Sequence, residues 1–230
     1  MSLVRFCVCV TALLYVVSAA GYIRKMLRKG SKIHPVLGAW ILALVAFSMS
    51  SWVYWHGVEH SIEGNIGNLA GTLNVWIIFL SVLWKNVRDK TLQVAFNASQ
   101  VVCLAIGAVV ALVWLFTPYD GFAYVLTQVI CVIATYATWK KLRVAEQSSE
   151  PIEMWLLVVV ACFFAAYPSW LKWEVKGDWK GLLYIFRAIP STWVIVCQIN
   201  RLNNERRQRY QQVLAQRTSH KRLVQLFRSL

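Results

Sequence analysis

Seven apolar stretches, each about twenty residues long, run through this 230-residue chain, and Lys and Arg gather on alternate connections between them. The stretches cover roughly 3–22, 36–55, 66–84, 94–116, 122–138, 152–170 and 181–198. At about 1.5 Å rise per residue, such a helix matches a hydrocarbon layer about 30 Å thick. A backbone in lipid has to satisfy its own hydrogen bonds, so each stretch is predicted to be a helix. The pattern predicts an all-α membrane protein of seven transmembrane helices.

The connections predict an orientation. The first carries Arg24, Lys25, Arg28, Lys29 and Lys32, the third Lys85, Arg88 and Lys90, and the fifth Lys140, Lys141 and Arg143. The second carries Glu59 and Glu63, the fourth Asp120, and the sixth mixes Lys172, Lys176 and Lys180 with Glu174 and Asp178. Basic connections stay cytoplasmic, which puts the N-terminus outside and the C-terminal tail inside. An odd number of spans agrees with that result. The first span ends in small residues, Ser18, Ala19 and Ala20, that resemble a signal-peptide cleavage site. Five positive charges follow it directly, so it is read as a retained helix.

A formal charge of +14 in a soluble chain would point to nucleic acid. Here the charge sits on the connections and tail, where it reads as a topology signal facing anionic lipid, and no nucleic-acid partner is expected. The six cysteines, Cys7, Cys9, Cys103, Cys131, Cys162 and Cys197, all lie in the spans without metal or redox spacing. Of the 12 tryptophans, Trp55, Trp84, Trp114, Trp139, Trp170, Trp173 and Trp179 fall near span ends, as in an interfacial belt.

The first and last three spans read as copies. The basic pairs Arg24-Lys25 and Lys140-Lys141 are separated by 116 positions, as are Pro35 and Pro151. Trp40 pairs with Trp155, Trp52 with Trp170 and Trp76 with Trp193 at nearly the same offset. The fourth span has no counterpart. With one span between them, the two copies are predicted to have the same orientation, as parallel repeats. The predicted divisions are a first three-helix repeat at 1–90, a linker helix at 91–118, a second repeat at 119–200 and a basic amphipathic tail at 201–230.

This 3+1+3 plan resembles the SWEET and PQ-loop class of membrane proteins, which holds sugar carriers, amino-acid exporters and retention-signal receptors. The resemblance covers about residues 1–200. It rests on topology, the repeat, and two local texts: YIRKMLRKG from Tyr22 to Gly30 followed by His34, Pro35 and Trp40, and Thr127-Gln128 through Tyr136 to Pro151 and Trp155. Similar strings occur in uncharacterised bacterial members, which implies a bacterial inner membrane. The class often has a Pro-Gln pair near the end of the first and fifth spans. This sequence has Ser18 to Ala20 and Ala134 to Ala137 instead, and its prolines inside spans are Pro168 and Pro190.

Polar side chains inside a bilayer are costly and therefore candidates for function. Asn68 and Asn74 lie in the third span, and Ser191 falls opposite Asn74 in the repeat. By the resemblance, Asn74, Ser191, Trp52 and Trp170 would line a central pocket for a small polar, sugar-like solute. Asn74 and Ser191 equally suit simple bonding between helices. Arg187 is the sharpest anomaly, about 9 Å into the seventh span by helical rise. It calls for an acidic partner such as Glu63, Glu59, Asp120 or Asp178, a wet cavity, or snorkelling to the interface. Gly67 and Gly71 form a small-residue face suited to close packing. No nucleotide loop, metal-ligand spacing or nucleophile–base set is present, so neither catalysis nor a cofactor is expected.

The tail from Arg201 to Leu230 carries seven Arg and one Lys against Glu205, with Leu223, Leu226, Phe227 and Leu230 at helical spacing. It is predicted to be a basic amphipathic helix that lies on anionic lipid or docks a cytoplasmic protein. Two functions remain open at this stage: a facilitative carrier of a small polar solute, and a non-transporting receptor or assembly subunit that uses helix faces and tail. A homo-oligomer is compatible with both.

Overall fold

The computed structural model describes residues 2–28, 37–57, 61–89, 98–116, 120–144 and 150–228. Among these, all regular structure is helical: α1 (Leu3–Leu27), α2 (Leu37–Trp55), α3 (Ile66–Arg88), α4 (Ala98–Phe116), α5 (Asp120–Val144), α6 (Ile152–Lys176) and α7 (Lys180–Arg228). A single 3-10 turn, Glu63–Asn65, leads into α3. Each helix coincides with one of the apolar stretches, and α1, α3, α5 and α7 extend past theirs into the basic connections and tail. Five of them, α1, α3, α5, α6 and α7, contain runs long and apolar enough to cross a membrane, and Trp40–Trp55 of α2 is a shorter apolar helix. The start of the fourth stretch, Val94 to Asn97, lies outside the described residues.

The helix ends follow local chemistry. Ser2 Oγ accepts the Arg5 amide at the start of α1, satisfying one of the donors a helix N-terminus leaves free. Asp178 Oδ1 accepts the Lys180 amide at the start of α7. Between them in sequence, α6 stops at Gly177, whose φ of 71° is the left-handed cap that glycine adopts most cheaply. Pro168 and Pro190 lie inside continuous helices. Each lacks an amide proton, so each leaves a carbonyl one turn back without its helical donor.

Packing places α3 against both α1 and α2, and α7 against both α5 and α6. The two groups meet along α1–α6 and α2–α5, while α4 lies on the outside against α5 and α2. Leu13, Val16, Leu73, Leu80, Phe163 and Phe186 are each more than half exposed, which makes an apolar outer surface. Exposed apolar area on that scale is what acyl chains would cover. Arg24, Lys25, Lys85, Arg88, Lys140, Arg143 and Arg201 all fall at one end of the bundle, termed the basic end below.

Lipid does not drive helices together as water does, so close contact and interhelical hydrogen bonds have to. Both occur here. Ser18 Oγ donates to the Met154 carbonyl (3.0 Å), Thr11 Oγ1 to the Ala161 carbonyl (3.4 Å) and Ser169 Oγ to the Gly64 carbonyl (3.0 Å). Gly67 leaves room for the Tyr184 ring, which a Cβ would meet at 2.8 Å, and Gly71 for the Tyr184 hydroxyl at 2.7 Å. The tightest approach is between Gly64 and Gly181, where a Cβ on Gly181 would fall on the Gly64 carbonyl oxygen. At the end opposite the basic one, the Tyr54 hydroxyl donates to Asp178 Oδ2 (2.9 Å) and accepts the Ser61 amide (3.0 Å).

Separate apolar cores lie nearer the basic end. Tyr22, Met26, Leu37, Ile78 and Val82 form one, and Leu142, Ile195, Ile199 and Leu202 form the other. Up to Gln212, Leu202 is the last buried residue of α7, and Arg206 to Gln212 are exposed. The tail is thus an uninterrupted continuation of α7 rather than a separate helix. Arg201–Glu205 and Glu205–Arg209 pairs lie one turn apart along it. Removing residues 206–230 is expected to leave the melting temperature of the purified bundle unchanged, since nothing it contains is buried up to Gln212. Gly181→Ala is expected to destabilise by about 1–3 kcal/mol or more through overpacking. Gly177→Ala should cost only about 1 kcal/mol, from the left-handed backbone alone. Thermal unfolding of the three variants in one detergent measures both effects.

Candidate functional site

A cavity of about 110 Å³ lies at the centre of the bundle, lined by α1, α2, α3, α5, α6 and α7. Such a space holds several waters or a small solute. On α2 and α6 its lining comes from the first turns, Trp40 to Phe47 and Met154 to Val158, and on α1 and α5 from the second half of each helix. The cavity therefore lies toward the basic end. Away from that end it is closed by a layer of aromatic side chains and by the Gly64–Gly181 crossing.

The closing layer is built from Tyr15, Phe47, Tyr184 and Arg187. The hydroxyls of Tyr15 and Tyr184 are 2.8 Å apart, and Phe47 meets the Tyr184 ring edge-on with centroids at 6.5 Å. The Arg187 guanidinium lies over both rings, 4.8 Å from the Tyr184 centroid and 5.1 Å from that of Phe47. Cation–π contact of this kind recovers part of the charge's lost hydration. Arg187 Nε donates to Gln128 Oε1 (3.1 Å), and Gln128 Nε2 donates to Ser50 Oγ (2.6 Å). One edge of the guanidinium is thereby held from α5, and through α5 from α2. Arg187 Nη2 is buried and has no hydrogen-bond partner.

Of the three settings open to Arg187, an acidic partner, a wet cavity or snorkelling, its place is in the cavity lining. Among the described residues it forms no salt bridge, and Asp178 bonds Tyr54 and the Lys180 amide instead. Among the described residues, no Asp or Glu lines the cavity. A charge at the centre of a transmembrane helix costs about 2.5–3.5 kcal/mol on insertion-based scales, and here one amide and two rings offset it. Of the candidate carboxylates, Glu59 lies outside the described residues.

The other site residues divide clearly. Asn74 and Ser191 line the same cavity as Arg187, although they come from different helices. Trp52 and Trp170 do not: they are about half exposed on the outside of the bundle, and Trp52 stacks on His56 with ring centroids 4.0 Å apart. They stand near the ends of α2 and α6 far from the basic end, where an indole suits a membrane interface. The indoles in the cavity belong to Trp40 and Trp155, near the opposite ends of those helices. Gln128 is also absent from the sequence-based set. It could have been found as an amide in mid-span, since such groups are rare in hydrocarbon.

Asn74 is bound to its neighbours as well as to the cavity. Its Nδ2 donates to the Tyr15 carbonyl at 2.7 Å, joining α3 to α1. Ser191 Oγ donates within its own helix, to the carbonyls of Arg187 (2.6 Å) and Ala188 (3.2 Å). It occupies the turn in which Pro190 supplies no amide. Trp155 Nε1 is buried without a partner. The arrangement can accept a small solute by hydrogen bonding and aromatic contact. Asn74→Ala is expected to destabilise the empty protein by about 0.6–1.7 kcal/mol, the range for interhelical bonds in membranes. Ser191→Ala should stay within about 0.5 kcal/mol, because a hydroxyl bonded back to its own helix adds little. Equal losses for the two, measured by thermal unfolding, would contradict this division.

Comparison with protein-family models, with curated proteins and with solved structures finds no match to this chain.

Proposed function

We propose that this protein is a SWEET- and PQ-loop-like facilitative carrier of a small polar solute, made of two parallel three-helix repeats joined by α4. The observation that carries the proposal is a cavity between the two halves, lined by like positions of each. Asn74 and Ser191 are 117 positions apart, Trp40 and Trp155 are 115 apart, and all four line it. A solute site at the interface of repeats is the arrangement alternating access requires.

The packing supports the repeat. Exchanging α1, α2 and α3 for α5, α6 and α7 turns the α1–α6 contact into α5–α2, and both contacts are extensive. In each half the third helix lies between the other two. The cores of the basic end correspond as well: Met26 with Leu142, Ile78 with Ile195 and Val82 with Ile199, at offsets of 116 or 117. Lys85 Nζ donates to the Met26 carbonyl (3.1 Å), and the matching Arg201 Nη2 to the Arg143 carbonyl (3.5 Å). Gly64 and Gly181, also 117 apart, touch one another, as residues beside a two-fold axis do.

The basic end is proposed to face the cytoplasm of a bacterial cell, with the N-terminus outside. The cavity, biased toward that end, then corresponds to an inward-facing carrier. A second reading, a non-transporting receptor or assembly subunit, draws on the exposed helical extension. Arg206, Arg207 and Arg209 are solvent-facing there and would meet anionic lipid or an acidic partner.

Two measurements test these readings. A reporter active only in the cytoplasm is expected to work after Leu230 or near Arg28 and to fail near Glu63 or Asp120. A cytoplasmic signal at Glu63 reverses the orientation. The full chain in liposomes is expected to give saturable uptake of a small polar solute, lost when Ala134→Trp fills the cavity. Uptake that is absent for the whole panel, or indifferent to Ala134→Trp, removes the carrier reading and leaves the receptor one.

A further inference from the structure

We infer that the solute is a small carboxylate, held by the Arg187 guanidinium; the inference rests on the carrier reading above. Among the described residues that line the cavity, Arg187 is the one permanent charge; the buried Glu150 carboxylate meets Tyr22 at the wall and not Arg187. Arg187 cannot be deprotonated at any physiological pH, and among the described residues no Asp or Glu lines the cavity and Arg187 forms no salt bridge. Its geometry is preset. Nε is tied to Gln128 Oε1, Gln128 is tied to Ser50, and Cζ lies over the rings of Phe47 and Tyr184. Nη2 remains buried and unpartnered. A guanidinium fixed along one edge and left open along another is a receptor for a planar anion, because its donors are already aimed.

A second orphan points the same way. Trp155 Nε1, on the neighbouring helix α6 toward the basic end of the cavity, is also buried without a partner. An indole N–H donates and cannot accept, and the same holds for guanidinium. Two unmet groups of donor-only chemistry select a solute rich in acceptors. A cationic solute is repelled by Arg187, and a neutral polyol leaves the charge without compensation. The walls exclude a bare inorganic anion as the best fit. Trp40, Ile78, Val158 and the Trp155 ring present apolar surface that chloride or phosphate cannot use. A short organic acid satisfies both features, with its carboxylate on Arg187 and its body against the indoles.

The test uses the purified full chain in detergent, read by thermal unfolding and by tryptophan fluorescence, with Trp40 and Trp155 as reporters. The probes are acetate and butyrate, their neutral isosteres acetamide and butyramide, and chloride and inorganic phosphate. Saturable binding of a carboxylate is expected, with the matching amide and the inorganic anions weaker by about ten-fold or more, the equivalent of one charge-assisted hydrogen bond. Arg187→Gln should abolish the preference for acid over amide. Gln128→Glu supplies a fixed counter-charge at Nε, so it should raise the melting temperature of the empty protein and weaken carboxylate binding. Amides binding as well as acids overturns the inference and leaves the carrier reading intact, as does phosphate or chloride binding as well as carboxylate. Unchanged acid binding in both variants removes Arg187 as the receptor. Failure of every probe to bind overturns the carboxylate assignment, and failure of every solute to enter liposomes overturns the carrier reading beneath it. The acid–amide comparison on the unaltered protein decides the matter even if a variant does not fold.

Discussion

The close approach of Gly64, in the turn that leads into α3, to Gly181, at the start of α7, is the tightest constraint on how the bundle packs. Lipid tails are as apolar as leucine, so helices in a membrane gain little by hiding apolar surface and associate through packing and hydrogen bonds. The Gly64 carbonyl lies where a Cβ on Gly181 would be, and the Ser169 hydroxyl donates to that same carbonyl. Gly67 and Gly71 extend the same thin face along α3, and Tyr184 fills the room they leave. Since α3 also packs on α1 and α2, and α7 on α5 and α6, this crossing adds to the α1–α6 and α2–α5 contacts that join the two groups. The helices diverge from it toward the basic end, and the cavity is the space they leave.

That geometry explains how Arg187 is tolerated. One turn beyond Tyr184, it emerges where the helices begin to part, with Gln128 on α5 close enough to accept from it. A buried ion pair would have required a carboxylate desolvated at similar cost. The structure uses an amide and two aromatic faces instead, and these hold the guanidinium without neutralising it. The result is a positive field inside a largely apolar chamber. Low local polarisability makes such a field stronger than the same charge in water.

Much of the fold was legible because hydrocarbon imposes a length and a composition on every segment that crosses it. The seven stretches became α1 to α7, and Gly67 and Gly71 were readable as a packing face since a missing side chain is the direct signature of close approach. Of the residues that line the cavity, Asn74, Ser191 and Arg187 stand out in the sequence as polar residues in apolar text. Trp52 and Trp170 were mistaken for pocket residues because a tryptophan reads the same at an interface and in a cavity, and depth along the helix decides between them. Trp40 and Trp155 were visible as a matched pair, yet nothing in their spacing told which way the cavity is biased. The partner of Arg187 was illegible for a similar reason: charge matching pointed to carboxylates, whereas helix crossing brought Gln128 to it. The tail was read as a separate amphipathic helix, and its continuity with α7 depends on the absence of any helix-breaking residue between Gln198 and Arg209.

For a carrier, the layer that closes the cavity has to open when the basic end closes. The bonds that hold it are few and mostly neutral. Tyr15 with Tyr184, Ser169 with the Gly64 carbonyl, and Tyr54 with the Ser61 amide are of this kind, and Tyr54 with Asp178 is the charged exception. Neutral hydrogen bonds contribute a net of about 0.5–1.5 kcal/mol each, so breaking this set costs a few kcal/mol in all. A solute shifts such an equilibrium only by the difference in its affinity for the two states. Arg187 lies directly against the closing layer, over the Tyr184 ring, so an anion that draws on its charge also alters the contact that holds Tyr184 in place. Pro190 follows three residues later and leaves the Phe186 carbonyl without its helical donor, so α7 bends there more easily than elsewhere. Tyr184, Arg187 and Pro190 thus lie within two turns of α7, so that in a carrier occupancy and opening would be coupled without any charge having to cross the bundle.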